Sequence, residues 1–118
     1  MKLNILERIM VLGILPKQSD FVSMKIIMDL QKAVGFSQNE LDKSNIKAHE
    51  DGSIAWEKDF EKEVKITKRA AEIIIKGLKD LSEKGQVSVQ HLSIYEKFKV
   101  DIEIKSEEVV KMQEEFVP

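Results

Sequence analysis

The stretch "TKRAAEIIIKGLKDLSEKG", residues 67–85, constrains the fold more than any other part of the chain. Ala70, Ala71, Ile74, Ile75, Leu78 and Leu81 recur at the spacing of one helical face, and Lys68, Arg69, Glu72, Lys76, Lys79, Asp80 and Glu83 fill the other. Thr67 offers an N-cap oxygen and Gly85 a stop, so an amphipathic helix is expected over Lys68 to Lys84. A helix with one broad apolar face must bury it against another layer, which the rest of the chain has to supply. Gly77 sits inside the pattern, where it either admits a close neighbour or is simply tolerated.

The covering elements follow from the same grammar. Ser88 caps a further helix with Leu92, Tyr95 and Phe98 inward, giving helix, glycine turn, helix across residues 68–98. Upstream, Leu3, Leu6, Ile9, Met10 and Leu12 follow helical spacing up to Gly13, expected as a left-handed stop. In "ILPKQSDFV", residues 14–22, Pro16 separates two apolar runs, and Ser19 or Asp20 caps a helix with Phe21, Met24, Ile27, Met28 and Val34 inward, ending at Gly35. With an apolar anchor on each side and few residues between, this is a corner inside one core rather than a linker. "SQNE", Ser37 to Glu40, matches a capping box and opens a short helix carrying Leu41.

Strand signals are fewer. Asp51-Gly52 marks a hairpin, and a three-residue Glu50-Asp51-Gly52 loop with Gly52 left-handed places Ile46, Ala48, Ile54 and Trp56 on one face. A two-residue loop would instead put Ile54 and Trp56 with polar Lys47 and His49. Val64 and Ile66 alternate as a short third strand or an extended lead-in, and "VDIEIK", residues 100–105, reads as a strand. Ser106, Glu107 and Glu108 then begin a final helix with Val109, Met112 and Phe116.

At 118 residues one domain with one core is expected, and the chain reads as a mainly helical α+β protein with a β-hairpin around Asp51-Gly52. Residues 101–118 form an acidic C-terminal segment within it. No cysteine is present, which removes disulfides, cysteine zinc sites and thiol nucleophiles and fits a reducing compartment. "MKLNILERIMVLGILP" is broken by Glu7 and Arg8 and lacks a small-residue cleavage site, so it reads as a helix rather than a leader. No run of 18 apolar residues occurs, so a cytoplasmic protein with no membrane partner is expected.

Charge is unevenly spread. Residues 65–99 hold eight basic side chains against four acidic, and residues 101–118 hold six acidic against two basic. Such a dipole can orient a partner. Only two of the nineteen basic residues are Arg, which argues against base and phosphate readout.

No nucleophile with a base and no pair of tuned carboxylates is apparent, so no enzyme, catalytic residue, cofactor or metal is expected. His49 reads as a solvated turn residue and His91 as a helix-surface or partly buried one. Trp56 and Tyr95 read as core, and Phe60 is undecided. The first helix is apolar on more than one face, because Ile5, Val11, Ile14 and Leu15 add to its stripe. Such a helix is either central to the core or lies in an interface, and these four residues are the candidate contact surface for a protein partner or homo-oligomer.

The alternative is a winged-helix-like DNA binder, built from the helix, turn, helix unit and the hairpin, with Lys68, Arg69, Lys76, Lys79, Lys84, Lys97 and Lys99 toward the duplex. Acidic residues interleaved with the hairpin lysines argue against it. An enzyme assembled from scattered residues is a third class, recognisable by a deep pocket with converging titratable groups.

The run "LERIMVLGILPKQSDFVSMKII", the "DG" hairpin and the closing "LSIYEKF" together resemble short open reading frames of bacterial and prophage genomes that carry no assigned function. The resemblance spans residues 3–98, includes no catalytic motif and transfers no site. It implies an accessory protein of a mobile element or its host.

Overall fold

Asn4 begins the first helix, and the residues before it form a strand. In the computed structural model, which describes residues 1–99, β1 (Lys2–Asn4) is followed by α1 (Ile5–Ile14). The Asn4 side chain accepts from the Glu7 N–H at 2.8 Å, and the Glu7 carboxylate accepts from the Asn4 N–H at 2.9 Å. This capping box satisfies two orphan donors and fixes the start later than the apolar count implied. The other end also differs. Gly13 is helical, and Leu15 closes the helix in extended conformation because a residue before proline is driven out of the helical region.

α1 packs against α2 (Phe21–Val34), α4 (Lys68–Glu83) and α5 (Leu92–Lys97), so it lies at the centre of the helical layer. Its deepest positions are Ile5, Glu7, Arg8 and Val11, not Leu6, Ile9, Met10 and Leu12, which are half-buried. The chain passes from α1 to α2 through the Pro16 corner, as expected, and Asp20 caps α2 by accepting from the Ser23 N–H at 2.8 Å. α2 is rotated from the expected orientation: Ile27, Leu30 and Val34 are buried, whereas Phe21 and Met28 are exposed. α3 (Gln38–Lys43) follows the predicted Ser37–Glu40 capping box, with the Ser37 N–H 2.9 Å from Glu40 Oε1.

The hairpin of β2 (Lys47–Ala48) and β3 (Ile54–Ala55) has the three-residue loop. Ala48 pairs with Ile54, the His49 N–H reaches the Ser53 carbonyl at 2.8 Å, and Gly52 has φ +90°. Its apolar face does not enter the core. Ala48 and Ile54 are exposed, and Ile46 and Trp56 are half-buried. The third strand, β4 (Glu61–Glu63), lies just before Val64 and pairs antiparallel with β1, Leu3 opposite Lys62. Its partner lies at the chain start, which local alternation does not reveal.

α4 bears out its pattern, with Thr67 accepting from the Ala70 N–H at 3.2 Å and Ala70, Ile74 and Leu78 buried. Gly85 at φ +66° turns the chain. A single 3₁₀ turn, Val89–His91, then leads into α5, where Ile94 and Phe98 are buried, Tyr95 is half-buried with its hydroxyl on the Leu78 carbonyl, and Leu92 points outward. Val11 and Leu15 of α1 meet the buried residues of α2, α4 and α5 in one core. Each such side chain contributes roughly 1.5–3 kcal/mol. The strand expected at 100–105, the helix after it and the acidic segment lie outside the described residues.

Gly77 is where α4 meets the end of α1. A Cβ there would lie 2.9 Å from the Ile14 carbonyl oxygen, closer than packed atoms tolerate. Gly77→Ala is therefore expected to lower stability by roughly 1–3 kcal/mol, although alanine is the better helix former by about 1 kcal/mol. A urea midpoint at or above that of the parent protein would show that the helices can move apart at no cost.

Candidate interaction surface

Glu7 and Arg8 are adjacent, oppositely charged and buried at 2% and 0% exposure. Neighbouring helix positions diverge by about 100° around the axis, so the two side chains serve different parts of the fold. Arg8 closes the ends of α2 and α3. Its Nε donates to the Val34 carbonyl at 2.8 Å, its Nη2 donates to the Gly35 carbonyl, and its two Nη groups meet the Glu40 carboxylate at 2.8 and 3.1 Å. The guanidinium also stacks over the Phe36 ring, 4.0 Å from its centroid. One planar fork thus satisfies two carbonyls at the end of α2 and the carboxylate of the α3 capping box. Hydrogen bonding to Arg8 holds the Glu40 carboxyl at about 2.

Glu7 ties α1 to α5. Its Oε1 accepts from Lys97 Nζ at 2.7 Å, and the same ammonium donates to the Lys2 carbonyl of β1 at 2.8 Å. Burial pushes the Glu7 carboxyl up, but hydrogen bonds from Lys97, the Asn4 N–H and Ser93 outweigh it, and the carboxyl ends below its ordinary range.

Arg8 meets α2 at the main-chain carbonyls that close it, and the side chains that α2 buries decide which face is left outside. With Val34 held against Arg8 and Ile27 and Leu30 inside, Phe21, Lys25, Met28 and Lys32 line up on the outer face at i, i+4, i+7 and i+11. Phe21 is 73% exposed and Met28 48%, and Lys25 Nζ lies 4.8 Å from the Phe21 ring centroid. That cation–π contact orders an aromatic ring in the open. A cleft of about 270 Å³ opens behind the start of α2, between the Pro16 corner and α4, lined by Ile14, Ile27 and Ile73 together with Asp20, Lys76 and Asp80. The Asp20 carboxylate in it is held low by the backbone N–H and hydroxyl of Ser23.

The sequence-derived contact residues fall elsewhere. Ile5, Val11 and Leu15 are 0%, 0% and 8% exposed, and Ile14 is half-buried against Gly77, so these four belong to the chain's own core rather than to a partner-facing surface. The breadth of apolar character on α1 reflects its central position.

Of the cations assigned to duplex contact, Lys68, Arg69, Lys76, Lys84 and Lys99 are exposed and Lys79 is half-buried, while Lys97 is engaged with Glu7. The hairpin precedes α4 and α5 in the chain, and α5 has six residues, exposing Leu92, Ser93 and Glu96. Among the described residues no three His, Asp or Glu side chains converge as a metal site, and no helix is long and apolar enough to cross a membrane. His49 is exposed, and His91 is half-buried with Nδ1 accepting from the Ser88 N–H at 3.0 Å.

Three residues that matter most to this surface, Arg8, Glu40 and Phe21, were not legible as such. The Asn4-x-x-Glu7 pattern was a readable capping signal, but nothing local marks Arg8 as buried, since its partners lie 26 to 32 residues away. No family model, curated protein or solved structure matches the chain.

Proposed function

We propose that the protein is a small, non-enzymatic interaction protein that self-associates, with the outer face of α2 as its contact surface. The observation that carries this reading is the exposed Phe21, Lys25, Met28, Lys32 stripe on a 14-residue helix capped at its start by Asp20 and clamped at its end by Arg8. A large aromatic and a methionine held open on a rigid element gain by burial in a partner, and both residue types are enriched at interfaces. An accessory role in a mobile element or its host accords with the resemblance to short bacterial and prophage reading frames.

Light scattering behind size exclusion tests this across a concentration series. The expected result is a mass that rises above the 13.6 kDa of one chain, and that returns to it when Phe21→Ser and Met28→Ser are combined. A parent protein that stays at one chain throughout, or one whose association ignores both substitutions, would overturn the reading. The exposed cations of α4 favour a second reading, duplex binding. Co-elution with DNA at low salt, weakened by Lys76→Glu, would replace the interaction reading; none is expected.

A further inference from the structure

We propose that the occupant of the α2 face is residues 101–118 of a second copy of the chain. This rests on the interaction reading above and names its partner. The stripe alternates apolar and cationic groups from Phe21 to Lys32, a rise of about 16 Å along the helix. The chain's own sequence holds the complement. In "SEEVVKMQEEFVP" Val109, Met112 and Phe116 recur at three- and four-residue intervals, with Glu107, Glu108, Glu114 and Glu115 beside them. The 101–118 segment carries six acids against two lysines.

Two other exposed apolar or open surfaces fit this segment less well. Val89 and Leu92 are 82% and 51% exposed, but the exposed residues beside them, Gln90 and Ser93, are uncharged. The open edge of β4 carries Glu61 and Glu63, which repel an acidic chain. On α2, Lys25 and Lys32 are both exposed and flank Met28.

The interaction reading, in which chains meet through this face, favours a second copy over the same chain. α1 packs against both α2 and α5, and the α2 stripe is exposed away from the core. Two copies related by a twofold axis exchange segments reciprocally.

Charge reversal in the full-length chain tests the pairing. One variant combines Lys25→Glu with Lys32→Glu on the face, and another combines Glu108→Lys with Glu115→Lys in the segment. Far-UV circular dichroism checks that each folds, and sedimentation equilibrium measures association. Each variant alone is expected to associate at least tenfold more weakly than the parent. An equimolar mixture of the two is expected to regain association, because across the pair the unaltered lysine face meets the unaltered acidic segment, and the reversed face meets a segment whose net charge has fallen to zero. If the parent associates and the face reversal weakens it while the segment reversal does not, this proposal is overturned and the interaction reading stands. If the mixture fails to recover, the proposal is overturned in the same way. A parent that is a single chain throughout overturns the proposal and the interaction reading together.

Discussion

Arg8→Ala is expected to cost roughly 3–5 kcal/mol of folding stability, the cost of breaking a buried, hydrogen-bonded ion pair. For a domain of this size that is a large share of a total of about 5–15 kcal/mol. The substitution strips donors from the Val34 and Gly35 carbonyls, leaves Glu40 with Lys62 at 4.0 Å as its nearest cation, and removes the plane stacked on Phe36. Arg8→Lys retains the charge but not the fork, so it should recover only a minor part of the loss. Replacing both partners, Arg8→Met with Glu40→Met, removes the unpaired carboxylate yet leaves two carbonyls without donors, and should fall between the single variant and the parent. Urea unfolding at neutral pH measures all three. A loss below about 1 kcal/mol for Arg8→Ala would mean that water satisfies these groups as well as the guanidinium does.

The second large effect is acid sensitivity. Glu40 ordinarily titrates near 4.5 and is held at about 2 in the folded chain. A carboxylate lowered by folding contributes stability that is complete above its unfolded value and is lost as pH falls through the folded one. Between pH 4.5 and about 2, Glu40 alone should therefore remove roughly 3 kcal/mol. Glu7 shifts in the same direction and adds to the loss over the same acid range. Asp20 and Asp51 are also lowered, but both are fully exposed and contribute little. The Arg8→Met, Glu40→Met protein should show a distinctly flatter stability profile from about pH 5 to about pH 2. A parent profile that is already flat there would mean that the Arg8–Glu40 pair is as well served in the unfolded chain.

These two effects share an origin that bears on how the chain can be read. Elements specified by neighbours in sequence were legible: the Thr67 cap and apolar stripe of α4, the Ser37–Glu40 box, the left-handed Gly52 of the hairpin and the stop at Gly85. Elements specified by distant partners were not. Counting apolar residues on α1 sends its charges outward, yet Glu7 and Arg8 are the buried ones, because Lys97, Val34 and Glu40 converge on them from 26 to 90 residues away. α2 carries two apolar stripes, Ile27–Leu30–Val34 and Phe21–Met24–Met28, and periodicity cannot rank them. The packing of α2 against α1 and α4 puts the first in the core and leaves Phe21 and Met28 outside, with Met24 half-buried at the edge. The apolar breadth of α1, which by sequence points to a contact surface, belongs instead to the core.

That recognition resides on the outer face of α2 is tested most directly by side-chain oxidation with hydroxyl radicals, read by mass spectrometry on the unaltered protein. Met28 and Phe21 are exposed, while Met10 on α1 is half-buried and serves as an internal reference. Phe21 and Met28 are expected to oxidise readily in dilute solution and to become protected as the protein is concentrated, with Met10 changing little. Oxidation of Phe21 and Met28 that is the same at every concentration would contradict a contact surface on this face.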